Sequence, residues 1–170
     1  MRFWEFMGLG WHLVRMEGDS LARLLEHSDA DDYAVGVFGL VLVLTTYLST
    51  IGSYAIRSPL ADIGGIFYGV AAGAFALLSM MTIHAFAYLQ DGKGAFWDLF
   101  TVLVCAGIWL QAGTLLLYAL AAIAPEFSIL LLLWVIYSFF VVSELVAVVY
   151  SLDPLLAMLA TFLGLAFFGL

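Results

Sequence analysis

From residue 33 onward this chain is five apolar blocks, at 33–56, 63–89, 95–124, 127–150 and 152–170, with only a few residues between them. That succession constrains the fold most, because it sets the solvent. A helix rises ~1.5 Å per residue and needs ~20 apolar residues to cross the ~30 Å hydrocarbon core of a bilayer. The first four blocks are long enough. The fifth, counted from Leu155, gives ~24 Å, and it reaches across if it starts near Leu152 or continues beyond Leu170. Overall the chain is 65% apolar and 11% charged, against about 45–50% and about 25% in soluble domains. The expected fold is an all-α integral membrane protein: a five-transmembrane-helix bundle over 33–170, preceded by an amphipathic interfacial segment over 1–32.

The breaks between blocks carry turn chemistry. Arg57-Ser58-Pro59 ends the first block, and Asp91-Gly92-Lys93-Gly94 is a turn. Pro125-Glu126 separates the third block from the fourth, and Asp153-Pro154 opens the fifth helix with a cap residue followed by proline. Loops this short between long helices imply an up-down antiparallel bundle. Arg2, Arg15, Arg23 and Lys93 fall on one side of that bundle, and Arg57 on the other. The excess of basic residues predicts a cytoplasmic N-terminus and, with five spans, an exterior C-terminus.

Residues 1–32 have their own character. Phe3, Trp4, Phe6, Met7, Trp11 and Val14 recur roughly at helical spacing, and Glu5, His12 and Arg15 break the run. Trp-rich amphipathic helices of this kind lie in membrane interfaces, so the segment reads as a tail docked on lipid or as a partner-binding surface. Its lack of a small-residue cleavage site reads as a retained segment, not a signal peptide. It holds seven acidic residues and three arginines within a chain of net charge −8. Acidity of this kind excludes a nucleic-acid partner and a polybasic lipid anchor, and it suits a high-salt habitat. The single Cys105 lies inside an apolar block and reads as a small buried hydrophobe.

Two groups of residues are site candidates. Gly65, Gly69 and Gly73 form an i, i+4, i+8 stripe in the second block. Such a stripe lets another backbone approach in lipid, either in an oligomer or within the same chain. A weaker version occurs at Ala106, Gly107 and Gly113. His84, Asp98 and Glu144 are the ionisable residues inside the blocks, where burying charge is costly. All three fall toward the cytoplasmic ends of their spans, at depths of about 5–9 Å. Together they would make a polar pocket, a proton relay or a cation site. The plainer readings are interfacial tolerance, a hydrogen-bonded structural histidine, and an Asp favoured at a helix N-terminus. Gln111, mid-span, reads as an interhelical hydrogen bond. Zinc-helix, phosphate-loop and nucleophile-elbow motifs are absent from the sequence, and so is an inverted repeat. No enzyme activity, cofactor or metal is expected.

The run Ile83-His84-Ala85-Phe86-Ala87-Tyr88-Leu89-Gln90-Asp91-Gly92-Lys93-Gly94-Ala95-Phe96-Trp97-Asp98-Leu99-Phe100 resembles the Yip domain family (Ypt/Rab-interacting membrane proteins) in its prokaryotic form. There a histidine near the end of the second span precedes a glycine-rich turn, and a small residue and an aromatic open the third. The resemblance extends to the five-span layout. Residues 15–32 look like the family's pre-membrane segment, with Gly18-Asp19-Ser20 where a Pro often stands. It implies a non-enzymatic integral membrane protein, here in the plasma membrane of a prokaryote. Eukaryotic relatives bind small GTPases and shape or sort vesicle membranes. The function expected is a membrane scaffold or adaptor whose partners are the bilayer and other membrane proteins or copies of itself. The alternative is a small transporter or ion-conducting subunit using His84, Asp98 and Glu144.

Overall fold

A computed structural model describes the backbone of residues 1–55 and 61–168 and the side-chain surroundings of residues 1–48 and 66–166. Among the described residues seven α-helices follow in order: α1 (Phe3–Val14), α2 (Asp19–Leu25), α3 (Ala30–Ala55), α4 (Ala61–Leu89), α5 (Phe96–Ile123), α6 (Ser128–Tyr150) and α7 (Pro154–Phe168). A short 3-10 turn, Pro125–Phe127, joins α5 to α6. The described parts of four helices are long and apolar enough to cross a membrane: Ala30–Leu48, Ile66–Leu89, Phe96–Ile123 and Pro125–Tyr150. The fifth block forms a shorter apolar helix, Pro154–Ala166 in its described part. The Arg57-Ser58-Pro59 break lies outside the described residues.

Local chemistry explains where the helices stop. The α1 helix ends where Met16 takes a left-handed φ of 57°, and the Met16 and Glu17 amides donate back to the Leu13 and His12 carbonyls at 2.9 and 3.1 Å. Between α4 and α5, Asp91 is left-handed at φ 61°, and the Gly92 amide donates to Ala87 O at 3.0 Å. A side chain at Gly94 would meet the Val149 carbonyl oxygen at 2.5 Å, so only glycine lets this turn lie against the end of α6. The Lys93 amide then donates to Tyr150 O at 3.1 Å. At the start of α7 the Leu155 amide donates to the Asp153 carboxylate at 2.9 Å, which is the cap-and-proline start read from the sequence.

Successive long helices pack antiparallel, and glycines set several of the contacts. On α4, a Cβ at Gly69 would overlap the Thr46 hydroxyl of α3, and one at Gly73 would come within 2.9 Å of the Leu42 methyls. The stripe therefore packs the α3–α4 hairpin within one chain, and is not left free for a second copy; Gly65 lies outside the residues whose surroundings are described. Gly164 of α7 faces Ile83 and the Ser79 carbonyl of α4. Gly113 of α5 faces the Trp134 ring of α6, whose Nε1 donates to Leu110 O at 3.1 Å.

The N-terminal segment is built into this bundle. Phe6, Leu9, Gly10, Leu13 and Val14 of α1 are buried, and a Cβ at Gly10 would overlap the Cys105 carbonyl oxygen on α5. Trp109 Nε1 donates to Met7 O at 2.8 Å, the Cys105 thiol to Phe6 O at 3.2 Å, and the Tyr137 hydroxyl to Val14 O at 2.5 Å. The segment read as a tail docked on lipid or as a partner-binding surface is thus docked on α5 and α6 of its own chain. The reason is steric: a glycine in the apolar face lets two helix backbones touch, a closeness that a lipid surface does not call for.

Candidate functional site

The helix ends at one side of the bundle bring together the last turns of α4 and α6 and the first turns of α5. His84 is one and a half turns from the end of α4, and Tyr150 closes α6. His84 Nδ1 and the Tyr150 hydroxyl share a hydrogen bond of 2.5 Å. The imidazole lies edge-on to Phe96 at a centroid distance of 5.6 Å, and is tilted against Tyr150 at 5.6 Å and Tyr88 at 6.4 Å. Tyr150 is fully buried, and His84 partly so. The aromatic wall continues along α5 through Trp97 and Phe100, and Phe38 of α3 meets Phe100 at 5.5 Å. One turn further into the bundle the buried Thr101 hydroxyl donates to the Asp31 carboxylate at 2.5 Å.

Of the three ionisable residues singled out in the sequence, the structure hydrogen-bonds only His84 into this centre, and Asp98 lies near enough for its charge to act on Tyr150. Asp98 serves its own helix: its carboxylate accepts from the Ala95 amide at 3.2 Å, which satisfies one of the free N–H groups of the α5 start. Glu144 is exposed. It lies six residues before Tyr150, and at 100° per residue it faces a direction about 120° away. Glu144 therefore does not join His84 and Asp98 at this end, and among the described residues no three His, Cys, Asp or Glu side chains gather where they could hold a metal ion. Gln111 is exposed as well, not turned toward another helix.

The partner that sequence reasoning missed is Tyr150. A tyrosine in the last turn of an apolar block reads as a membrane-interface aromatic, yet here its hydroxyl points inward. The one available signal was that Tyr150 ends its block in the same leaflet as His84. Thr101 with Asp31, and Tyr137 with Val14, were missed for the same reason. A hydroxyl on a largely apolar residue does not disturb an apolar pattern.

The chemistry of this centre is that of a hydrogen-bonded phenol and imidazole in an aromatic box. A phenol and an imidazole can exchange the role of donor with the histidine tautomer, and both are held by packing. A shallow polar recess of about 300 Å³ lies elsewhere, at the α1–α2 corner, lined by residues that include His12, Glu17, Asp19 and Arg23. There His12 Nδ1 is 2.6 Å from Glu17, and Arg15 is 3.3 Å from the same carboxylate. Together these features define an all-helical bundle embedded in a membrane, with its polar groups gathered toward one end. No family model, curated protein or solved structure matches the chain.

Proposed function

We propose that the protein is a non-enzymatic membrane scaffold or adaptor of the kind the Yip resemblance implies. In this reading α3 to α6 enter the bilayer and α7 is a shorter fifth membrane helix. The end carrying His84, Arg15, Arg23 and Lys93 faces the cytoplasm of a prokaryote. The observation that carries the reading is the commitment of the polar groups. His84 is held by Tyr150, Asp98 by the start of its own helix, and Glu144 points out of the bundle. What the protein offers outward is large apolar surface on two hairpins, including Tyr47, Phe67 and Tyr68 on one and Leu116, Ile123 and Leu133 on the other. Such faces accept lipid or the helices of other membrane proteins.

The test separates scaffold from conductor. Wild type, His84→Ala and Glu144→Gln are reconstituted into liposomes for proton and cation flux, and Leu133→Glu is compared with wild type for particle mass in mild detergent. The expected result is flux no higher than in protein-free liposomes for all three, and a smaller particle for Leu133→Glu. Flux in the wild type that disappears in His84→Ala or Glu144→Gln would replace the scaffold with a transporter.

A further inference from the structure

The α1 helix fixes a level on the bundle. It touches Trp109 of α5 through the Met7 carbonyl and Tyr137 of α6 through the Val14 carbonyl. Trp109 lies thirteen residues after the start of α5, and Tyr137 thirteen before the end of α6. Both therefore stand ~20 Å from the His84–Tyr150 end. Met7 and Val14 are themselves ~10 Å apart along α1, about the spacing of two packed helices. A helix that meets two antiparallel neighbours at the same height, one helix spacing apart, crosses them at nearly a right angle. The backbone contact of Gly10 with the Cys105 carbonyl, nine residues into α5, sets the lower edge of this crossing at ~14 Å, so with α5 and α6 along the membrane normal α1 lies across the bundle between ~14 and ~20 Å from that end.

The surroundings of α5 change at that height. Every residue of 99–106 is buried. Eight consecutive positions cover more than two turns, so protein encloses this stretch on all sides, as in a soluble core. Past Leu110 the same helix turns apolar side chains outward, among them Leu115, Tyr118 and Ile123. Above α1 only ~20 Å of α5 remains, and ~14 Å of α6, both less than the ~30 Å hydrocarbon core.

Charge decides what lies beside the lower half. Glu5, Arg15, Glu17, Asp19, Arg23, Glu26, Asp31 and Asp32 are all exposed on α1, α2 and the start of α3. Below Tyr137, Phe140 and Glu144 continue its outward stripe on α6 at i+3 and i+7. Holding this many charges in hydrocarbon costs far more than compressing a bilayer locally. On the side of α7, Leu155, Leu159 and Phe162 face outward down to its first turn, so lipid chains reach the level of that turn there.

We infer that the α1–α2 face draws the lipid headgroup layer and its water inward by ~14–20 Å, to the level of Cys105, Trp109 and Tyr137, so that the bilayer is thinner on this face than beside α7. The occupant of the face is a layer of zwitterionic headgroups. The segment carries seven acids against three arginines, which repels anionic lipid and attracts the ammonium of phosphatidylethanolamine. The inference rests on membrane embedding alone and stands whether the protein scaffolds or transports.

The full chain in phosphatidylethanolamine–phosphatidylcholine nanodiscs tests it. Phe140→Cys, Glu144→Cys and Leu132→Cys are each labelled with a membrane-impermeant maleimide; the native Cys105 is buried and supplies a slow background. Phe140 lies ~15 Å from the Tyr150 end and Leu132 ~27 Å. The expected result is labelling of Phe140→Cys and Glu144→Cys at least tenfold faster than of Leu132→Cys. If Phe140→Cys labels as slowly as Leu132→Cys, the headgroups stop at the helix ends and the inference fails. A second measurement leaves the α6 face intact. In single-tryptophan proteins, brominated lipid quenches Trp11 most when bromine is near the headgroup, and quenches Trp97 least. Trp11 quenched most by bromine at the chain ends would also overturn it.

Discussion

Two glycines of α1, two residues apart and so on opposite faces of the helix, are predicted to respond in opposite directions to the same substitution. A methyl on Gly10 would overlap the Cys105 carbonyl oxygen, and would stand 3.0 Å from its carbon and 3.1 Å from the sulfur. Backbone atoms of a helix enclosed on all sides cannot rotate aside, so α1 has to lift. Overpacking of this kind costs about 1–3 kcal/mol. The lift also stretches the bonds from Cys105 and Trp109 to the Phe6 and Met7 carbonyls, worth about 0.6 kcal/mol each in membrane proteins. Alanine returns about 1 kcal/mol through helix propensity. The net loss for Gly10→Ala is about 1–3 kcal/mol, or roughly 5- to 150-fold in the undocked population of α1. At Gly8 a methyl meets nothing within 4 Å, so Gly8→Ala keeps only the propensity gain of about 1 kcal/mol.

Tryptic cleavage after Arg15 in mild detergent reads that population, because cleavage follows the open fraction when opening and closing are fast. Cleavage should speed up 5- to 150-fold in Gly10→Ala, as estimated above, and slow by roughly fivefold in Gly8→Ala. If Gly10→Ala is cut no faster than wild type, or if both variants shift the same way, α1 is not packed on α5 as described, and the membrane level read from it falls too.

Tyr150→Phe keeps the ring and removes the hydroxyl from His84. It should lower stability by about 0.6–1.7 kcal/mol and shift the His84 Nδ1 resonance in nitrogen NMR, and an unmoved resonance would deny the pair. Outside the spans, the Asp29 carboxyl is held below its ordinary 3.8 by the Ser28 hydroxyl and then by the Met1 amino group. A lowered folded-state value gives stability that is present above that range and is lost as pH falls through it. Wild type should therefore melt slightly above Asp29→Asn at pH 6, with the gap narrowing as pH falls below the ordinary 3.8; a gap that does not narrow on acidification would contradict the assignment.

The helices were legible because lipid leaves so few alternatives. In hydrocarbon every backbone group needs an internal partner, so an apolar block bounded by Asp91-Gly92 or Asp153-Pro154 has little choice but a helix with those ends. Which faces meet is another matter, since it depends on how each helix is rotated. The glycine spacing at 69 and 73 is the same for a neighbour in the chain and for a neighbour in a second copy. The pattern of α1 fits a lipid surface as well as a protein surface. Gly10, at the centre of its apolar face, was the residue that separated the two, and a periodicity count passes over it. His84 was legible as an anomaly, but its partner was not, because Tyr150 satisfies an apolar pattern while carrying the hydroxyl that matters.

The polar bonds also explain why function is better sought away from them. Lipid supplies no hydrophobic drive between helices, so alignment comes from close packing and hydrogen bonds. Those from His84, Thr101, Cys105, Trp109 and Tyr137 join different helices at or below the level of α1. They lock one half of the molecule into a single arrangement. Toward the hairpin tips, Gly69, Gly73 and Gly113 bring each pair of helices together, while the outer faces carry large apolar side chains with lipid or a partner as neighbour. A locked base with two apolar hairpins can receive a foreign helix on those outer faces without disturbing the bonds at the base. That division of labour favours the hairpin faces over His84 as the working surface, and makes Leu133→Glu a more informative substitution than His84→Ala.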